Sequence, residues 1–199
     1  MKLLCSLLFL FCTFPSLSAQ NISDLENFEK AMRPGTVLTY DVNMGGKQYQ
    51  FIATLKKAGS ETAFDWKMTE PVNKSGTVNM SASAVKNADA LFNYFTGGVS
   101  NLEKETSVFI SQKVFDEVAA NAEAMLKVNG AEDTATRMSN TISEFNFNLN
   151  GSLVAVPGWE LEGGSEIRYK ISVIESRRFP LIANMNLGWT INLSEIKEP

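Results

Sequence analysis

A mainly β domain, a single curved antiparallel sheet or partly closed barrel with a few short covering helices, is the fold this sequence predicts. Its C-terminal stretch alternates: Leu181, Ala183 and Met185 with Ile182, Asn184 and Asn186, then Trp189, Ile191 and Leu193 with Thr190, Asn192 and Ser194. Successive strand side chains point to opposite faces, so each run presents an apolar side. Gly45-Gly46 and Asn150-Gly151 are tight-turn dipeptides flanked by similar runs. The turns also place the apolar residues of neighbouring runs on one side, which a slip of a single residue would undo.

Composition narrows the class further. The chain has 199 residues, 44% hydrophobic and 20% charged, which fits one globular domain. A chain of this length buries about 70% of its unfolded surface and needs no metal or disulfide to fold. Its net charge is −4, and no long basic run is present, so nucleic acid is not an expected partner. With no histidine, Ser-His-Asp and Cys-His nucleophile systems and His-ligated zinc are excluded. Cys5 and Cys12 both fall in a leader, which leaves the rest of the chain without a disulfide or thiolate site. No cofactor is expected.

That leader spans residues 1–19. Lys2 precedes the apolar run Leu3–Phe14, Pro15 breaks it, and Ser16-Leu17-Ser18-Ala19 offers small residues for cleavage. This is the pattern of a secretory signal peptide, and the run is too short for an ordinary transmembrane helix. Bulky Phe11 before Cys12 disfavours lipidation there. The expected mature domain is 20–199, secreted and placed in the periplasm, with no later stretch able to span a bilayer as a helix.

The elements then follow in order. Ser23 and Glu26 have capping-box spacing, with Leu25, Phe28 and Met32 on one helical side before Pro34-Gly35. A strand over 36–44 turns at Gly45-Gly46, opposing Val42 to Tyr49, Tyr40 to Phe51 and Leu38 to Ala53. A loop over 57–60 would oppose Lys56 to Glu61, Ala53 to Phe64 and Phe51 to Trp66, matching charges and aromatics. Pro71 ends that strand; a further strand is expected over 77–85 and a short helix over 87–95, with Gly97-Gly98 as a break. A short strand over 107–111 leads to a helix capped by Ser111, its apolar positions Val114, Phe115, Val118, Ala119 and Ala122. Short strands over 125–128 and 134–138 precede a hairpin through Asn150-Gly151 that opposes Phe147 to Val154 and Phe145 to Val156. Pro157-Gly158 reads as a bulge or edge. A Gly163-Gly164-Ser165 loop would oppose Trp159 to Tyr169, Leu161 to Ile167 and Glu160 to Arg168. The closing hairpin, turning at Asn186-Leu187-Gly188, would oppose Met185 to Trp189, Ala183 to Ile191 and Leu181 to Leu193.

Few constellations point to chemistry. Ser83-Ala84-Val85-Lys86 has the Ser-x-x-Lys spacing of serine acyl-enzymes, and Lys74-Ser75-Gly76 resembles their Lys-Thr-Gly strand. Their order is reversed, and Ser83 is expected on a strand. Glu160 and Glu162 share a strand face and with Asp65 form the carboxylate set of a glycosidase-like alternative, but Arg168 is expected opposite Glu160, as in a surface ion pair. No acidic loop has calcium-hand spacing. A membrane barrel would need apolar outward positions, whereas these are Gln, Asn, Thr, Lys and Glu.

The ending, Phe179-Pro180-Leu181-Ile182 followed by Gly188-Trp189-Thr190-Ile191-Asn192-Leu193-Ser194-Glu195-Ile196, resembles that of a group of secreted β-rich bacterial envelope proteins of the Bacteroidetes type. Val108–Phe115 is similar to a strand-then-helix piece of the same group. The resemblance covers about a third of the chain. It implies a curved antiparallel sheet with helices at its mouth, loosely like lipoprotein carriers, and supplies no catalytic residues. The functional expectation is a non-catalytic domain that binds an apolar small molecule or an envelope protein partner. Tyr40, Phe51, Phe64, Trp66 and Trp189 are the candidate lining of a ligand site; a plain core face is the ordinary alternative. A purely structural scaffold is the remaining option.

Overall fold

Hydrogen-bonded strands dominate the computed structural model, which describes residues 19–138, 142–164 and 168–199. In chain order they are α1 (Ala19–Ala31), β1 (Val37–Met44), β2 (Lys47–Lys57), β3 (Thr62–Met68), β4 (Ser75–Met80), α2 (Ala82–Asn87), β5 (Ala90–Leu91), β6 (Gly98–Leu102) and β7 (Glu105–Thr106). There follow α3 (Gln112–Asn121), β8 (Glu123–Val128), β9 (Ala131–Arg137), β10 (Ser143–Leu149), β11 (Ser152–Gly163), β12 (Tyr169–Ile174), β13 (Ile182–Asn186) and β14 (Thr190–Lys197).

The strand order is β6-β4-β3-β2-β1-β14-β13-β12-β11-β9-β8-β5-β7, and β10 bonds to both β11 and β14. That double bonding closes a ring from β10 to β14, from which β1 to β4 and β6 continue as a curved extension. The architecture is the mainly β, partly closed barrel that the sequence predicts. It is not wholly antiparallel: β10 runs parallel to β14, β4 to β6, and β5 to β7 and β8. Parallel neighbours need a crossover rather than a hairpin. Between β4 and β6 that crossover contains α2 and β5.

Two hairpins form in the predicted register. Val42 faces Tyr49, Tyr40 faces Phe51 and Leu38 faces Ala53. Phe147 faces Val154 and Phe145 faces Val156. Three others slip. In β2–β3, Ala53 faces Trp66 and Leu55 faces Phe64, with a bulge between Leu55 and Lys57. Lys56 then meets Asp65 at 3.3 Å, and Lys57 takes Glu61 at 2.8 Å. In β13–β14, Met185 faces Ile191 and Asn186 faces Thr190, so the turn is Leu187-Gly188-Trp189. In β11–β12, Trp159 faces Val173, Leu161 faces Ile171 and Glu160 faces Ser172. Gly163 lies opposite Tyr169, inside the ladder. A Cβ there would sit 2.4 Å from the tyrosine oxygen, so this glycine serves close packing and not the turn. Arg168 consequently reaches Glu162, at 3.6 Å. The expected partner Ile167 lies outside the described residues.

Other segments depart from their sequence patterns for local reasons. The helix at the start begins at Ala19, which places Ser23 inside it rather than at its cap. The strand expected over 77–85 stops at Met80, because the Ser81 hydroxyl accepts a hydrogen bond from the Ala84 N–H at 3.2 Å and caps α2. The expected helix over 87–95 is absent. Backbone groups there are taken by neighbours: Lys127 N–H donates to the Asp89 carbonyl and Phe92 N–H to the Thr106 carbonyl, both at 2.7 Å. The strand expected over 107–111 is reduced to a single bridge between Phe109 and Leu181, just after β7. Ser111 caps α3 as expected, accepting from Val114 N–H at 3.2 Å; Val114, Phe115 and Val118 are buried, whereas Ala119 is exposed. β11 runs straight through Pro157-Gly158, with β12 on one edge and, on the other, β10 up to Gly158 and then β9 at Leu161 and Glu162.

Two apolar cores result. One collects β1 to β4, α1 and the β10–β11 hairpin around Tyr40, Phe51, Phe64 and Phe147. The other joins α3, β8, β9 and β12 around Phe115, Leu126, Leu161 and Ile171. β13 belongs to both, with Ile182 in the second core and the next residue, Ala183, in the first. Gly158 is paired on both edges, with Ser143 and with Ile174, and an added Cβ would lie 2.3 Å from the Val173 carbonyl oxygen and 2.4 Å from the Phe145 ring. Gly158→Ala is expected to lower the unfolding free energy by about 1–3 kcal/mol in urea titration, since backbone must move. Gly46→Ala, with open space but φ +76, is expected to cost about 1 kcal/mol. A Gly158 variant no less stable than the Gly46 variant contradicts this packing.

Candidate functional site

The apolar faces of β1, β2 and β3 meet the β13–β14 turn at one end of the sheet. The chain after β5 crosses this end and inserts Phe95. Its ring centre lies 4.6 Å from that of Phe51, 5.1 Å from Trp66 and 5.6 Å from Phe92. Phe51 and Trp66 stack at 6.1 Å, and Tyr40 lies 6.2 Å from Phe51. Offset and edge-on pairs of this kind contribute about 0.5–1.5 kcal/mol each beyond their buried area. The Tyr40 hydroxyl donates to the Ile182 carbonyl at 3.0 Å, tying the two cores together; burial raises its pKa far above the usual tyrosine range.

Two hollows flank Phe95. The outer one is an open groove of about 520 Å³, lined by Met44, Lys47 and Tyr49 of the β1–β2 hairpin, Met68, Val72 and Lys74 after β3, and Tyr94, Phe95 and Trp189. The inner one is about 40 Å³, lined by Tyr40, Phe51, Phe95, Met185 and Trp189 among others. Such a space has room for about one water molecule. Its lining includes Asn93 and Ser107, whose Oδ1 and Oγ atoms are buried without a hydrogen-bond partner among the described residues. Phe51, Asn93, Phe95, Trp189 and Ile191 line both hollows, which makes the Phe95 side chain part of the partition.

Of the five candidate lining residues, Phe51 and Trp189 border both hollows and Tyr40 the inner one. Trp66 lies against Phe95 and lines neither hollow. Phe64 is fully buried in the first core and also lines neither, because the β2–β3 slip places it opposite Leu55, deeper in the sheet. Met44, Tyr94 and Phe95 border the groove and are not among the lining residues expected from sequence, and neither is Lys74, which the sequence offers only within its Lys-Thr-Gly-like piece. Tyr94 and Phe95 read as one side of a helix, and an extended segment beside the double glycine would have been the useful signal.

On the other side of the β1–β2 hairpin lies a polar concavity of about 580 Å³, lined by Asp41, Asn43, Gln48, Gln50, Glu70 and Asn192 among others. Gln50 Nε2 donates to Asp41 Oδ1 at 3.1 Å, and Asn184 bonds to Asn192, so much of its polarity is satisfied internally. The remaining motifs are dispersed. Ser83 falls on α2 and not on a strand, one turn before Lys86. Lys74 stands at the opposite end of β4, some six residues of extended chain away at about 3.3 Å each, so the two halves of the acyl-enzyme pattern do not meet. Asp65 accepts from the Thr77 hydroxyl at 2.6 Å, which with nearby Lys56 lowers its pKa. Glu160 is exposed opposite Ser172. Among the described residues, no group of three or more His, Cys, Asp or Glu side chains could hold a metal ion. No described helix is long and apolar enough to cross a membrane.

Comparison with protein-family models, curated proteins and solved structures returns no match to this chain.

Among the described residues, one carboxylate is raised in pKa. Glu175 is half-buried, and loss of hydration outweighs the pull of the Arg137 charge and the Trp159 N–H. The folded state therefore holds this proton more tightly than the unfolded state, whose value is near 4.5. The associated stability is present below 4.5 and is lost as pH rises through the higher folded value. Relative to Glu175→Gln, the wild-type chain is expected to be more stable at pH 4.5 than at pH 7; parallel stability curves for the two proteins contradict this assignment.

Proposed function

We propose that the protein is a non-catalytic binding domain, secreted to the periplasm by its residue 1–19 leader, that takes an apolar ligand in the groove beside Phe95. The observation that carries this is the groove itself. Its volume of about 520 Å³ falls within the ~300–1,000 Å³ of small-molecule sites. Tyr94 and Met44 on its wall are 57% and 46% exposed, large apolar surface left open to solvent beside a rigid aromatic floor. Binding would cover that surface at a gain of about 25 cal/mol per Å².

A second reading, docking of an envelope protein, draws support from the filled interior. The inner hollow of about 40 Å³ cannot enclose a lipid chain as a deep carrier would, so anything bound in the groove remains partly exposed. A protein side chain could then occupy the same groove.

Fluorescence titration with neutral N-phenyl-1-naphthylamine is expected to give saturable, one-to-one binding. Tyr94→Ser should weaken it about fivefold, the loss of roughly 40 Å² of apolar contact. Leu153→Ser, at a position 72% exposed on another hairpin, should leave it unchanged. Absence of saturable binding to the wild-type chain rejects the small-ligand reading.

A further inference from the structure

Resting on the groove as a binding site, we propose that its occupant is a single-chain amphiphile with an anionic head group, a long-chain carboxylate being the simplest case. Lys47 and Lys74 are the charged residues that line the groove; the rest of the lining is apolar, aromatic or uncharged polar. Neither forms an ion pair with a described residue, whereas Lys56, Lys57, Arg168 and Arg177 each reach a carboxylate. In a chain of net charge −4, two cations lining one groove without an acid stand against the average composition. The nearby acid of the same loop is directed elsewhere: Glu70 lines the polar concavity with Asp41 and accepts a hydrogen bond from Asn73 Nδ2 at 3.4 Å.

Position makes the two lysines a head-group site. Lys47 opens β2 opposite Met44, and Lys74 precedes β4, its carbonyl accepting from Met68 N–H at 2.7 Å. Both are exposed, so both ammonium groups stand where solvent meets the groove, while Phe51 and Phe95 form its floor. Lysine stems cover apolar surface while their charged ends stay in water. A chain lying on the floor can therefore end at these two charges. The lysine ammonium acts as a compact charge without a demand for bidentate geometry, so the pair attracts an anionic head by charge alone. A neutral head gains nothing from the pair, and a cationic head is repelled. The open groove of about 520 Å³ favours one chain over a bulkier two-chain lipid.

Displacement of N-phenyl-1-naphthylamine by dodecanoate, dodecanoyl glycerol and dodecyltrimethylammonium, each below its micellar concentration, tests the assignment. Dodecanoate is expected to compete about fivefold more tightly than the glycerol ester, the effect of two exposed ion pairs, with the trimethylammonium compound weakest. Added salt should compress the difference. In the double variant Lys47→Gln/Lys74→Gln the preference should vanish while the thermal midpoint stays at the wild-type value; in Leu153→Ser, outside the groove, both the preference and the dye affinity should persist. Equal competition by dodecanoate and its glycerol ester, or a preference that survives the double substitution, overturns the head-group assignment and leaves the groove as an apolar site. If the wild-type chain binds neither dye nor amphiphile, both this inference and the reading beneath it fall.

Discussion

β14 bonds to β1, to β13 and, through a short parallel join, to β10. The strand-pairing path from the N-terminal meander to the ring runs through it. Everything else depends on one strand satisfying three partners while alternating its side chains between faces. Leu193 and Ile196 are drawn into the first core, and Ile191 packs against both cores. The pairing with β1 shifts between Thr39 and Tyr40, where Ser194 of β14 is the extra residue; this bulge lets the two strands curve together along their length. Trp189 then lines the same groove as Phe51.

Face parity was legible in the sequence, whereas distance along the strand was not. The three slipped hairpins all moved by an even number of residues: Ala53 meets Trp66 instead of Phe64, Met185 meets Ile191 instead of Trp189, and Trp159 meets Val173 instead of Tyr169. An odd slip would have turned buried residues to water at a cost repeated along the strand, whereas an even slip preserves burial. Two devices set the remainder, and neither shows in apolar alternation. One is the bulge at Lys56. The other is a glycine, Gly163, used for close packing against Tyr169 and not for turning. Hairpins with dipeptide turns, Gly45-Gly46 and Asn150-Gly151, lack such slack and formed as read.

The site was half legible for a related reason. Tyr40, Phe51 and Trp189 lie on strands whose facing could be derived, and they border the hollows. Phe95 and Tyr94 lie on a connection where helical spacing and an extended path both accommodate the same apolar residues, and tertiary hydrogen bonds at Asp89 and Phe92 decided between them. Lys74 carried no periodic signal; its place on the groove arises only when the loop after β3 folds beside the hairpin tip. Phe64 shows the converse, since an aromatic residue on the right face can lie too deep to line anything.

The place of β14 in the sheet also bears on how the chain assembles. Val37 pairs with Lys197, far along the chain from it. Until β14 has been synthesised, the outer edge of β1 presents unpaired backbone donors and acceptors beside a nearly complete apolar meander. Exposed edges of that kind recruit other strands, and pairing between distant segments is slow to form. The molecule therefore passes through a stage in which its most adhesive border is open, and shielding of that border by a chaperone or by rapid release of the whole chain becomes part of the conditions under which this fold can be reached.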